Sequence, residues 1–270
     1  MDSYRYALVI EYNGKNYSGS QIQPNGKTIQ STLEDVMKIL IKSPIKTIFS
    51  GRTDAGVNSK GQVVHFNVPC KLNTKKFLCS LNALLPDDIS VPVVNEVDKN
   101  FHSQKKAVYR WYRFIIDNNE QRSAWNKEAL YIREPLDVAI MKEALFYLIG
   151  EHDFSGFKNA STNNPAKICK VHYVNCEENR GIIKIDIVAN RFLYNMIRII
   201  VGTLLKIGTK EWPKERILQI LETKDRNLAG PTISPHGLFY MLVGYSDIDK
   251  IKHNINKEAN TDENIFSKAL

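Results

Sequence analysis

Gly51-Arg52-Thr53-Asp54-Ala55-Gly56-Val57, followed by Gln62-Val63-Val64-His65-Phe66, reads as a charged loop leading into an apolar strand. Two glycines bracket the loop, and glycine adopts the positive φ values that tight turns need. Two readings of the Arg and Asp stand. One is a structural turn with an ordinary surface ion pair; the other is a carboxylate held as a nucleophile or base. The following strand alternates, with Val64, Phe66 and Val68 on one face and His65 on the other.

Upstream, residues 5–12 alternate with Tyr6, Leu8, Ile10 and Tyr12 on one face, which predicts a strand. Residues 13–26 form a loop rich in turn formers and amides. Leu33, Val36, Met37 and Leu40 then repeat at helical spacing, with Ser31 and Glu34 expected as a capping box. A short strand, 47–50, enters the charged loop. Downstream, Thr74 is expected to cap a helix carrying Phe77, Leu78, Leu81 and Leu85, ended by Pro86. Residues 89–94 make a last strand. The succession is β-α-β-β-α-β.

The same succession recurs. Residues 108–117 read as a long strand and 118–127 as a polar insertion. Asp137 caps a helix with Val138, Met141, Leu145 and Leu148 as its stripe and Gly150 at its end. Residues 168–176 and 182–189 pair as a hairpin. A long helix is expected over 192–207, a short one from Pro213, and a closing strand over 238–245. The expected fold is therefore α+β: two ferredoxin-like (RRM-like) β-α-β-β-α-β halves, with antiparallel sheets joined across a basic central cleft. The halves are placed at 1–104 and 105–246, with 247–270 as a charged, loosely ordered tail.

Among 270 residues, 37 Lys and Arg stand against 29 Asp and Glu, a formal charge of +8. That surplus favours a polyanionic partner, nucleic acid first. The four cysteines form no C-x-x-C pair. Cys169 and His172 are spaced C-x-x-H without a second ligand pair, so neither a metal site nor a cofactor site is read. The N-terminal residues lack a signal-peptide core, and the longest apolar run, 196–205, is interrupted by Arg198 and too short to span a bilayer. A reduced cytoplasmic protein without membrane attachment is expected.

Two further clusters carry chemistry. Around the apolar helix of the second half, Arg191, Asn195, Arg198 and Gly202 fall at i, i+4, i+7 and i+11, a polar stripe. The stripe either faces solvent or brings a buried arginine to an anion. In the second case Arg198 can pair with Asp54 and hold its pKa below the usual carboxylate range. The strand Tyr109-Arg110-Trp111-Tyr112-Arg113-Phe114 alternates aromatic and basic residues, as single-stranded nucleic-acid recognition requires. A core strand with two surface arginines fits it equally. Trp111 and Tyr112 point to opposite faces, so only one looks into a given cleft. His152-Asp153-Phe154-Ser155-Gly156-Phe157-Lys158 is a second aromatic and basic cluster, in which His152 and Asp153 are read as capping or packing residues.

Gly51 to Val57 with Gly61-Gln62-Val63-Val64-His65-Phe66 resembles the signature of the tRNA pseudouridine synthase A family. So do Leu81-Asn82-Ala83-Leu84-Leu85-Pro86-Asp87-Asp88-Ile89, His152-Asp153-Phe154, Phe192-Leu193-Tyr194-Asn195-Met196-Ile197-Arg198, Asp225-Arg226, Ala229-Gly230-Pro231-Thr232 and His236-Gly237-Leu238. The resemblance runs from about residue 4 to 245. It implies a homodimeric isomerase without metal or cofactor that converts uridines of the tRNA anticodon stem-loop, at tRNA positions 38 to 40, into pseudouridine. By the same resemblance Asp54 is the catalytic aspartate, Tyr112 the tyrosine that stacks on the target base, and Arg198 the aspartate's partner. Arg52 is assigned to RNA binding and base flipping. Gln62, His65, Arg110, Lys158, Arg191 and Asn195 complete the expected RNA-binding set.

The pattern departs from the family's in three places. Asn58-Ser59 replaces His-Ala, Gly19-Ser20-Gln21-Ile22-Gln23 replaces Gly-Trp-Gln-Arg-Gln, and Gly156-Phe157-Lys158 replaces Ser-Phe-Arg. A lysine cannot grip phosphate bidentately as arginine does. These changes are expected in RNA-contacting loops. They leave two alternatives: the same chemistry on another uridine or RNA, or a tRNA-binding chaperone with weak catalysis.

Overall fold

The computed structural model describes residues 3–159 and 167–246; the tail at 247–270 lies outside them. Two compact units emerge. One holds the described residues up to Tyr109 together with those from Tyr240 on, and the other is Arg110–Phe239.

In the first unit, β1 (Tyr4–Tyr12), α1 (Ile29–Ile41), β2 (Thr47–Phe49), β3 (Asn58–Val68), α2 (Thr74–Leu84) and β4 (Ile89–Val97) follow the expected succession. β1 lies between β3 and β4 and is antiparallel to both, with Leu8 opposite Val64 and Val94. β2 adds antiparallel to β3, Thr47 opposite Phe66. The resulting order β4-β1-β3-β2 is that of a ferredoxin-like sheet. Tyr6, Leu8, Ile10 and Tyr12 share one core with Leu33, Met37, Phe66, Phe77 and Leu81, so one face of the sheet is closed by both helices.

Helix starts differ from expectation by one cap each. α1 is capped by Thr28 in a capping box with Ser31. Glu34 instead accepts hydrogen bonds from the Thr47 amide (2.8 Å) and hydroxyl (2.7 Å), tying α1 to β2. The cap of α2 is Asn73, whose side chain accepts from the Lys76 amide, and Thr74 is its first helical residue.

From Tyr109 on, β5 (Tyr109–Asp117), α3 (Val138–Phe146), β8 (Ile168–Asn179), β9 (Ile182–Ala189), α4 (Met196–Gly208) and β10 (Leu238–Gly244) repeat the succession, the chain of β10 passing from the second unit to the first at Tyr240. β6 (Leu130–Tyr131), β7 (Gly150–Asp153) and α5 (Arg216–Thr223) are additions. The order is β5-β9-β8-β7, antiparallel throughout, and the Ile115 amide donates to the Gly237 carbonyl where β10 begins. The fold is thus α+β with two ferredoxin-like units and antiparallel sheets. Gly150 opens β7 with φ +113° rather than ending α3.

The Arg113 expected at the surface is buried. Its guanidinium grips Asp186 at 2.8 and 3.1 Å, and the same carboxylate accepts from the Trp111 indole at 2.7 Å. A buried charge of either sign is tolerated only with such a partner. Among the described residues no helix is long and apolar enough to cross a membrane.

Candidate active site

The charged loop joins β2 to β3 in the first unit, and its backbone is clamped at almost every residue. The Ser50 amide donates to the Val63 carbonyl (2.8 Å), and the Ser50 and Tyr240 hydroxyls meet at 3.0 Å in the interior. Gln62, fully buried on β3, donates from its side-chain amide to the Gly51 carbonyl. Its Oε1 accepts from the Tyr12 hydroxyl at 2.7 Å, and that hydroxyl lies 2.8 Å from Thr53 Oγ1. Burial pushes the Tyr12 pKa upward, so the phenol stays a hydrogen-bond donor.

Thr53 is anchored from three sides. Its amide donates to Ser20 Oγ (2.9 Å), its carbonyl accepts from the Ser20 amide (3.1 Å), and its hydroxyl meets Tyr12. Asp54 and Arg52 flank this anchor, half-buried and exposed respectively. The Val57 amide closes the turn onto the Asp54 carbonyl (3.2 Å), and Gly56 supplies φ +78°. Gly14 permits the closest approach: a Cβ there would stand 2.1 Å from the Val57 carbonyl oxygen. The backbone that carries the Asp54 carboxylate is thus fixed before any substrate arrives, as preorganised chemistry requires.

Two of the three departures from the family pattern turn out to be braces. Ser20 is fully buried and holds Thr53; Asn58 is buried and accepts from the Gly14 amide (2.9 Å). Ser59, also buried, donates to the Tyr240 carbonyl. Within loops expected to contact RNA, these three side chains are instead consumed by backbone groups. Ile22, 52% exposed, is the changed residue of the first loop that reaches solvent.

His65 is 2% exposed, and its Nδ1 takes the Ser103 amide (3.2 Å) and faces the Ser103 hydroxyl (2.8 Å). Its ring lies 4.8 Å from that of His102. Burial first, then the neighbouring His102 and Arg5 charges, pull its pKa down to about 4. It packs the segment around Ser103.

In the second unit Tyr112 is half-exposed on β5, edge-to-face with Phe192 at 5.0 Å, while Trp111 and Arg113 on either side are buried. Arg110 Nη1 donates to the Asn190 carbonyl at 2.7 Å. α4 starts at Met196, so Arg191 and Asn195 precede the helix and the expected four-member stripe does not form. Asn195, at φ +61°, accepts from Arg198 Nη1 (3.0 Å), and Arg198 Nε donates to the Ile233 carbonyl (2.7 Å). Arg191 is exposed, and Lys158 is half-buried just after a 3-10 turn at Ser155–Phe157. His152 Nε2 donates to the Ile149 carbonyl (3.0 Å) and the ring packs on Phe154, the packing role expected of it.

Gly202 is not part of a polar face. A Cβ on it would stand 2.1 Å from the Pro231 carbonyl oxygen, and one on Gly230 would stand 2.5 Å from the Gly202 carbonyl carbon. The Gly230 amide donates to Thr203 Oγ1 (2.9 Å), which seats residues 229–233 directly on the α4 backbone. Among the described residues no group of three or more His, Cys, Asp and Glu is arranged to hold a metal ion.

Comparison with known proteins agrees with the sequence signature. A family model described as tRNA pseudouridine synthase matches residues 144–246. The tRNA pseudouridine synthase A of an Exiguobacterium species is 37% identical over 245 residues, covering 91% of this chain and 99% of its own. That of Exiguobacterium sibiricum is 39% identical over 246 residues (91% and 98%), and that of Buchnera aphidicola 38% over 251 residues (93% and 95%). These matches define the class, an isomerase of the pseudouridine synthase kind. Within it, the chain belongs to the tRNA pseudouridine synthase A family.

Proposed function

We propose that the protein isomerises uridine to pseudouridine in the tRNA anticodon stem-loop, at tRNA positions 38 to 40, with Asp54 as the nucleophile. The observation that carries this reading is the clamp on the Asp54 loop: Tyr12, Gln62, Ser20 and Thr53, all buried, are committed to fixing the backbone that carries Asp54. The substrate comes from the relatives' shared name, and the position from the motif resemblance.

The reaction breaks the N1–C1′ bond, forms C5–C1′, removes the C5 proton and returns a proton to N1. No atom is gained or lost, so no co-reactant is needed. A stacked uridine must first leave its helix, at a few kcal/mol. The exposed Arg52 is suited to fill the vacated space or hold phosphates. Asp54 then acts by attack on C1′, by attack on C6, or by assisting loss of the C2′ proton. Tyr112 offers a partly exposed ring as a stacking face and a hydroxyl for the C5 proton. The resemblance assigns Arg198 to the aspartate, and within its own unit its guanidinium is held by Ile233 and Asn195. The family resemblance also supports a cytoplasmic homodimer.

A second reading, the same chemistry on a different uridine, is favoured by Ile22 and Lys158, partly exposed where the family pattern has arginines. Mapping pseudouridine on a full set of unmodified tRNAs separates the two. Product at positions 38 to 40 supports the first, product elsewhere the second, and product on no tRNA overturns both. Asp54→Asn is expected to abolish product while leaving tRNA binding in place; full activity in that variant removes Asp54 from the mechanism.

A further inference from the structure

A cavity of about 410 Å³ opens in the second unit, lined by Arg226, Asn159, Asn227, Thr232 and the backbone of residues 229–231. Its floor is the segment seated on α4 by Gly202 and Thr203, and the next residue of that segment, Ile233, receives Arg198. The wall is therefore rigid and continuous in sequence with the grip on a candidate catalytic arginine.

Arg226 is the anomaly. It is half-buried, and burial lowers its pKa, which marks a cation whose desolvation is not repaid by an anion. Its bonds among the described residues go to two neutral acceptors, the Ala229 carbonyl (3.2 Å) and the Thr232 hydroxyl (3.4 Å). Asp225, adjacent in the chain, caps the following 3-10 turn through the Asn227 amide (2.9 Å) and makes no ion pair with it. Guanidinium does not lose its proton, so the charge stays, on a side chain that still reaches solvent and can take an external anion. Its planar fork matches phosphate oxygens, and Asn227 and Thr232, residues with polar side chains, line the same cavity.

We infer that this cavity is a phosphate subsite that holds one backbone phosphodiester of the RNA, with Arg226 as its principal ligand. The inference rests on the RNA-modifying function proposed above. A subsite of this kind fixes the register of the strand without reading its sequence.

Binding of an unmodified tRNA transcript, measured against KCl concentration by fluorescence anisotropy, tests it without turnover. Arg226→Gln is expected to weaken binding to all tRNAs alike and to reduce the slope of log affinity on log salt by about one. Asn227→Asp places a negative charge at the cavity from an exposed residue and leaves the Arg226 bonds intact; it is expected to weaken binding in the same direction. Wild-type affinity and slope in both variants overturn the inference. So does thermal stabilisation by inorganic phosphate that depends on Arg226 while the tRNA slopes are unchanged, which marks a free-anion site. Because only binding is read, failure of the proposed isomerisation leaves this test intact.

Discussion

The Tyr12 hydroxyl and Gln62 Oε1, from the adjacent strands β1 and β3, meet at 2.7 Å in the interior, and Gln62 passes the contact on to the Gly51 carbonyl. Tyr12 also reaches Thr53, so one phenol spans both ends of the stretch that precedes Asp54. Its apolar ring belongs to the core of the first unit and its polar tip to the loop. The Asp54 loop and the hydrophobic core are thereby coupled through a single side chain.

Tyr12→Phe keeps the ring and removes the tip. Gln62 Oε1 and the Thr53 hydroxyl are left buried with a partner missing, at about 1–3 kcal/mol of stability. The larger effect is expected on chemistry, since a loop displaced by about 1 Å loses on the order of a hundredfold in rate. The expected result is a fall in kcat with KM nearly unchanged, read by single-turnover kinetics beside urea denaturation. A variant that loses stability but keeps kcat shows the phenol to be structural only.

The buried His65 makes the fold sensitive to acid. Its pKa is about 4 in the folded chain and about 6.5 in the unfolded one. As pH falls through 6.5 the unfolded chain takes up the proton first, so stability is full above 6.5 and is lost progressively down to 4. The full loss amounts to ~3 kcal/mol. Nδ1 accepts from the Ser103 amide, a bond that protonation destroys. His102, tilted against it at 4.8 Å and also lowered in pKa chiefly by burial, shifts stability in the same direction. Chemical denaturation at a series of pH values is expected to show this slope, and His65→Gln to flatten it.

Strand and helix order were legible because the alternation of Tyr6, Leu8 and Ile10 and the spacing of Leu33, Val36 and Met37 arise from burial on one face, which sequence records directly. The tight turn that carries Asp54 was legible through its bracketing glycines. What escaped was polar and long-range. Gln62 and His65 looked like surface contacts for RNA, because nothing local announces that Tyr12 or Ser103 will take their polar atoms. Each is a polar residue on an otherwise apolar strand, and a buried polar atom must find a partner. Arg113 was misplaced for the same reason: Asp186, its partner, lies on another strand. The start of α4 was missed because Asn195 adopts φ +61° in the middle of a continuous apolar pattern.

Gly202 and Gly208, both in α4, separate packing from function. Alanine raises helix propensity by up to about 1 kcal/mol at either site. At Gly208 the new methyl meets the Met141 sulfur (2.7 Å) and a Leu136 methyl (3.1 Å), side-chain atoms of unbranched or flexible residues that can repack where backbone cannot. Gly208→Ala is therefore expected to be within about 1 kcal/mol of wild type. At Gly202 the methyl meets the Pro231 carbonyl oxygen at 2.1 Å, and backbone has to give. Residues 229–233 are then pushed off the helix, at a net loss of about 1–3 kcal/mol. They carry with them the Ile233 carbonyl that holds Arg198 Nε. Gly202→Ala is expected to lose both melting temperature and single-turnover rate, and Gly208→Ala to keep both. Equal rates in the two variants would show that Arg198 does not depend on the seat of that segment.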